Sequence, residues 1–195
     1  MQLNNTRIHN MNANLLEMTM QPEKKDDAPL FTECGDHRVG YVDLIEGIDA
    51  PSEYAREFEI LRQARKSDKV IVTINTPGGR LDTAVHMIDA IEQCKGKVTA
   101  RLVGDGFSAG SLIFLACKNK EIGRFGSLML HRESGGIMGK GSDTEKQMEY
   151  QKKYVNELYR EIYSPYLSEV DMERLMDGVD LWFTTAETKE LLNGK

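Results

Sequence analysis

The chain has 195 residues, 40% of them hydrophobic, with 25 Lys and Arg against 31 Asp and Glu and a formal charge of −6. That length and composition fit one domain able to bury a core, and the mild acidity argues against a nucleic-acid binder, which normally shows a net basic face. The longest apolar run, Leu112 to Cys117, falls far short of the ~18 residues of a membrane span. No basic start followed by an apolar stretch marks a secretory signal. Cys34, Cys94 and Cys117 are odd in number and hold no C-x-x-C pair, which argues against a disulfide framework and a cysteine zinc site. The expectation is a soluble cytoplasmic protein without metal or cofactor, membrane or nucleic-acid partner.

Residues 1–36 are rich in Asn, Met and Gln and carry Glu23-Lys24-Lys25-Asp26-Asp27 without a sustained period. They read as an N-terminal arm, and residues 37–195 as the folded domain. From His37 onward strand and helix patterns alternate. Arg38 to Ile45 reads as a short strand. Asp49-Ala50-Pro51-Ser52 offers capping groups and an early Pro before Tyr54, Phe58 and Leu61 at helical spacing. Lys69 to Asn75 is β-branched and almost wholly apolar, as in a strand covered on both faces. Pro77-Gly78-Gly79 breaks the chain, and Leu81, Val85, Ile88 and Ile91 then make one helical stripe closed by Lys95-Gly96.

Val98 to Val103 is another buried strand, followed by Gly104-Asp105-Gly106 and an apolar helix over Ser108 to Ala116. Leu128 to Leu130 is a third, ending in His131. A stretch with Gly135, Gly136, Gly139 and Gly141 follows, and Ser142-Asp143-Thr144-Glu145 has the form of a capping box opening the longest helix, to about Tyr163. Ser168 caps a further helix that Gly178 stops. Leu181 to Thr184 is a last strand, and Thr184 with Glu187 caps a terminal helix. Repeated β-then-α units predict an α/β fold with a mostly parallel sheet and helices on both faces.

In such folds ligands meet the carboxyl ends of the strands. At the first such end, Asn75-Thr76-Pro77-Gly78-Gly79, paired glycines leave backbone N–H groups free of side-chain cover, able to cradle an oxyanion or run beside a peptide. At the second, Gly106-Phe107-Ser108-Ala109-Gly110 is a G-x-S-x-G between a buried strand and a helix. That context lifts the serine onto a tight turn at a helix N-terminus, where developing negative charge is favoured. The bland alternative makes Ser108 a helix N-cap. The third end carries His131; its bland alternative is a half-buried histidine bonded to a loop carbonyl, a reading that suffices for His9, His37 and His86.

A nucleophilic serine requires a base, itself held by a third group. The α/β-hydrolase order Ser…acid…His fails here, because Glu121 is the only acid between Ser108 and His131. The order Ser108…His131…acid remains. Asp180, just before the last strand, is the best-placed acid, since Asp143, Asp171 and Asp177 sit at predicted helix ends.

Together these motifs resemble the proteolytic subunit of the Clp-type serine proteases, within the crotonase-like superfamily, over roughly His37 to Gly194. Asn75 to Gly79 resembles the family's strand turn, Gly104 to Gly110 its nucleophile turn, and Met129-Leu130-His131 the segment carrying its histidine. Asp180, ahead of Leu181-Trp182-Phe183 and Thr184-Thr185-Ala186-Glu187, matches its aspartate. The resemblance implies a serine endopeptidase acting on unfolded polypeptide with Ser108, His131 and Asp180 as triad. It also implies oxyanion donors at the N–H groups of Gly79 and Ala109 beside Gly78, and no cofactor.

Gly135 to about Tyr163 resembles the family's protruding handle, whose Gly-rich strand, with Gly135 and Gly136, pairs with substrate backbone. A homo-oligomer of one or two heptameric rings follows, with an AAA+ unfoldase as partner. Three departures stand out: Gly178-Val179 replaces charged residues that often lock the rings, Ala109 follows the nucleophile where methionine is usual, and residues 1–36 do not resemble the unfoldase-engaging segment. The divergent N-terminus motivates an alternative, a stand-alone processing protease of viral capsid-maturation type in the host cytoplasm. An inactive structural ring subunit, a crotonase-type acyl-CoA enzyme and a Ser-Lys protease are weaker alternatives, because all three triad residues are present.

Overall fold

The computed structural model describes residues 29–132 and 141–194, with side chains of the long helix from residue 146 onward. His9, the arm through residue 28, Gly135, Gly136, Gly139 and the side chains of the Ser142–Glu145 box lie outside the described residues. The elements run β1 (Thr32–Cys34), β2 (His37–Ile48), a 3-10 turn (Pro51–Tyr54), α1 (Ala55–Gln63), β3 (Lys69–Gly79), α2 (Leu81–Gln93), β4 (Lys97–Phe107) and α3 (Ala109–Ala116). They continue with β5 (Asn119–Ile122), β6 (Ser127–Leu130), α4 (Gly141–Tyr163), α5 (Glu169–Met176), β7 (Leu181–Phe183) and α6 (Thr185–Asn193).

One seven-stranded sheet has the order β1-β2-β3-β4-β6-β7, with β5 also on β4. Strands β2 through β6 pair in parallel, while β1 and β7 run antiparallel at the two edges. The α/β fold with a mostly parallel sheet therefore stands as the sequence predicts. Val42, Leu44, Val70, Val72, Ile74, Ala100 and Leu102 point to one face and are almost fully buried. Phe58 and Leu61 of α1, Met87 of α2 and Ile113 and Phe114 of α3 complete that core. On the other face Ile71 and Thr73 are half-buried and Tyr41, Ile45 and Val103 exposed, so the continuous apolar run of β3 is only half covered on that side.

Three features differ from the sequence expectation. Pro77-Gly78-Gly79 does not break the chain: β3 continues to Gly79, because Gly78 and Gly79 pair with Gly47 and Ile48 of β2 after a bulge between Ile45 and Gly47. Likewise β4 runs through Gly104-Asp105-Gly106 to Phe107, held by β6 through Asp105, Gly106 and Phe107. The sheet also begins at Thr32, inside the segment expected to be an arm. Phe31 packs on the core, with the Arg38 guanidinium 4.3 Å from its ring centroid.

Capping follows the sequence at the C-terminal end. Ser168 accepts from the Asp171 N–H, and Thr184 with Glu187 forms a reciprocal box. Before α1 no side chain caps; the Asp49 carbonyl instead accepts from Thr83 Oγ1 at 2.6 Å.

The start of the domain is pinned by one buried carboxylate. Asp68 accepts from Arg38 Nε at 3.2 Å, from Arg38 Nη2 and from the Arg65 N–H at 2.7 Å. The Arg38 guanidinium, aided by that backbone N–H, outweighs the cost of burial and lowers its pKa to about 2.

Candidate active site

Three strand ends converge: Thr76–Gly79 of β3, Phe107 of β4 with Ser108 after it, and His131 after β6. Ser108 sits between β4 and α3 with φ 55° and ψ −119°. A positive φ in a non-glycine residue is strained and persists only where its surroundings hold it. Ser108 occupies the N-cap position of α3, but its side chain makes no capping bond. Its Oγ instead lies 2.7 Å from His131 Nε2. The Ser108 N–H donates to the Met129 carbonyl at 2.8 Å, so the nucleophile turn is fastened to β6 two residues ahead of the histidine.

Gly78 is where β3 meets this turn. A Cβ there would lie 2.6 Å from Ser108 Cβ, 2.7 Å from the Phe107 carbonyl oxygen and 3.1 Å from the Ala109 nitrogen, at φ +98°. Glycine alone fits. The Gly78 N–H is engaged, donating to Thr76 Oγ1 at 3.0 Å, while that hydroxyl donates to the Glu46 carbonyl. At Gly79 a Cβ would fall 2.1 Å from the Ile48 carbonyl oxygen. The Arg80 N–H donates to that same oxygen at 2.8 Å, and since ladder groups alternate along a strand, the Gly79 N–H faces away from β2. Ala109 opens α3, so its N–H has no intrahelical acceptor. Gly78 thus supplies the clearance that lets β3 lie against Ser108 and the Ala109 nitrogen, with the Gly79 N–H next along the strand.

Asp180 is less closely engaged. The β6–β7 register Leu128↔Phe183, Met129↔Trp182, Leu130↔Leu181 puts Asp180 and His131 next at the same end of the ladder. The Asp180 side chain is exposed, and among the described residues no hydrogen bond joins it to His131. The structure therefore brings Ser108, His131, Gly78 and Ala109 together, with Gly79 next in the chain, and leaves Asp180 adjacent to His131 without a hydrogen bond to it.

Sequence reasoning placed Thr76 in the strand-end motif but gave its hydroxyl no role. It also missed Ser111, whose signal was a single hydroxyl in the otherwise apolar α3. The other two described histidines behave blandly: His86 stacks on Phe58 with ring centroids 3.9 Å apart, and His37 bonds Asp36. No group of three or more His, Cys, Asp or Glu among the described residues is arranged to hold a metal ion, and no helix among them is long and apolar enough to cross a membrane.

The site is a serine–histidine pair at the carboxyl rim of a mostly parallel α/β sheet. Residues 48–191 match the family model described as Clp protease. The chain belongs to the Clp protease family, a family of peptidases.

Proposed function

We propose that this protein is a serine endopeptidase that hydrolyses peptide bonds in unfolded polypeptide. The observation that carries the reading is the 2.7 Å contact of Ser108 Oγ with His131 Nε2, made from a strained turn at the start of α3. Ser108 Oγ attacks the peptide carbonyl while His131 Nε2 takes its proton. The oxyanion is received by the N–H groups of Gly79 and Ala109. His131 then gives its proton to the leaving amine, an acyl ester on Ser108 remains, and water activated by His131 cleaves it.

Asp180 holds the His131 Nδ1 proton. Its exposed side chain rotates toward the ring when substrate orders the site, since such bonds often tighten only in the bound complex. Gly135 and Gly136 pair with the substrate backbone.

The working form is a homo-oligomeric ring, single or double, enclosing the serines and fed by an AAA+ unfoldase in the cytoplasm. On α4, Val155, Tyr159, Ile162 and Tyr163 are consumed by the chain's own core, so they supply no interface. Met148, Tyr150 and Tyr154, at 53%, 71% and 41% exposure, remain as the contact surface. Peptide turnover and native mass of Ser108→Ala, His131→Ala and Asp180→Asn test the reading. Each loses most activity with the fold intact, and the double variants are no worse than the worst single one. Full turnover by Ser108→Ala would overturn it.

A further inference from the structure

Behind the nucleophile lies a hydrogen-bonded chain that no part of the proposed reaction yet uses. Ser111 is fully buried in α3, and Tyr163 in the last turn of α4 is 1% exposed. Ser111 Oγ donates to the Ser108 carbonyl oxygen at 2.7 Å, and the Tyr163 hydroxyl lies 2.8 Å from Ser111 Oγ. A serine hydroxyl has one proton, already given to the Ser108 carbonyl. Tyr163 must therefore be the donor to Ser111, and burial pushes its phenol pKa up and keeps it protonated. The direction is fixed: Tyr163 O–H to Ser111 Oγ, then Ser111 O–H to Ser108 C=O.

The target of the chain matters because a peptide unit is planar and trans. The Ser108 carbonyl and the Ala109 N–H belong to one rigid plane and point in opposite directions. Pulling that carbonyl toward Ser111 aims the Ala109 N–H outward, beside Ser108 Oγ. The same carbonyl also accepts from the Ser111 and Leu112 N–H groups at 3.0 and 3.3 Å, which leaves little freedom for the plane to tilt. Successive hydrogen bonds in a buried chain also polarise one another, and so strengthen the donor at the far end.

We propose that Ser111 and Tyr163 are positioning residues, which orient the Ser108–Ala109 peptide so that the Ala109 N–H meets the oxyanion of the transition state. This rests on Ser108 being the nucleophile. Neither side chain touches substrate, so removing them weakens transition-state stabilisation and leaves ground-state binding alone.

The test uses the full chain and its Ser111→Ala, Tyr163→Phe, double and Ser108→Ala variants, with active sites titrated by a fluorophosphonate and peptide turnover expressed per titrated site. Losing a whole oxyanion donor costs on the order of 10²–10³ in kcat. Two backbone N–H groups still hold the carbonyl here, so Ser111→Ala is expected to lower kcat about tenfold with KM unchanged. Tyr163→Phe, which keeps the Ser111 bond, lowers it less, and the double variant falls no further than Ser111→Ala alone. Unchanged kcat per site in both single variants, or kcat and KM moving together, overturns the assignment. Should Ser111→Ala fail to fold, Tyr163→Phe, which removes one oxygen and keeps the ring, decides. Labelling of Ser108→Ala would instead overturn the nucleophile reading, and the positioning role with it.

Discussion

Replacing Gly78 by Ala tests how tightly β3 closes on the nucleophile turn. The added methyl would sit 2.6 Å from Ser108 Cβ and 2.7 Å from the Phe107 carbonyl oxygen, against a comfortable separation of about 3.5–4.0 Å between carbons. Relief requires a shift of about 1 Å, and both neighbours are backbone or Cβ atoms that cannot rotate away. Positive φ at a residue with a Cβ costs about 1–2 kcal/mol, and overpacking a close-packed contact about 1–3 kcal/mol. Gly78→Ala is therefore expected to lose about 2–5 kcal/mol of stability.

Its effect on turnover is larger than that of a remote destabilisation, because the turn that must move carries Ser108. A displacement of about 1 Å costs on the order of 10²-fold in rate. The assay is kcat/KM on a fluorogenic peptide, corrected for titrated sites, beside a denaturation curve. Gly47→Ala is the control: it lies on the paired strand β2 with nothing within 4 Å of its Cβ, and should behave as the parent. Near-parental turnover by Gly78→Ala would refute the reasoning that this glycine exists for the close approach.

Asp68 titrates at about 2 in the folded chain against an ordinary carboxylate near 4 in the unfolded one. Its stabilisation is therefore present above about pH 4 and lost as pH falls toward 2; Asp68→Asn should lose about 2 kcal/mol near neutrality and show a flatter acid limb in urea melts. Met148→Asp together with Tyr150→Asp should shift light scattering toward smaller species without lowering the melting temperature, as both side chains are exposed. An unchanged mass would remove α4 from the interface.

Much of this was legible in the sequence because the signals were local. Val70, Val72 and Ile74 announce a buried strand, Thr184 and Glu187 a helix start, and the apolar run after Ser108 the helix α3. What escaped was set by pairing at a distance. Pro77-Gly78-Gly79 carries every local mark of a break, yet β2 supplies the ladder that keeps it in the sheet. The polar strand Asn119–Ile122 has no alternation to read and exists because β4 is beside it. The apolar residues of α4 could not be divided between core and surface without knowing that Tyr163 reaches Ser111. Asp180 was identified by order along the chain, and its neighbourhood to His131 comes from the β6–β7 register.

The central claim is that Ser108 is a nucleophile activated by His131. Fluorophosphonate labelling of the full chain, with the adduct mapped by peptide mass spectrometry, tests it most directly. One adduct on Ser108 is expected, none in Ser108→Ala, and labelling in His131→Ala slowed by about 10²–10⁴-fold, the usual worth of a general base. An adduct elsewhere, or an equal labelling rate without the histidine, would contradict it.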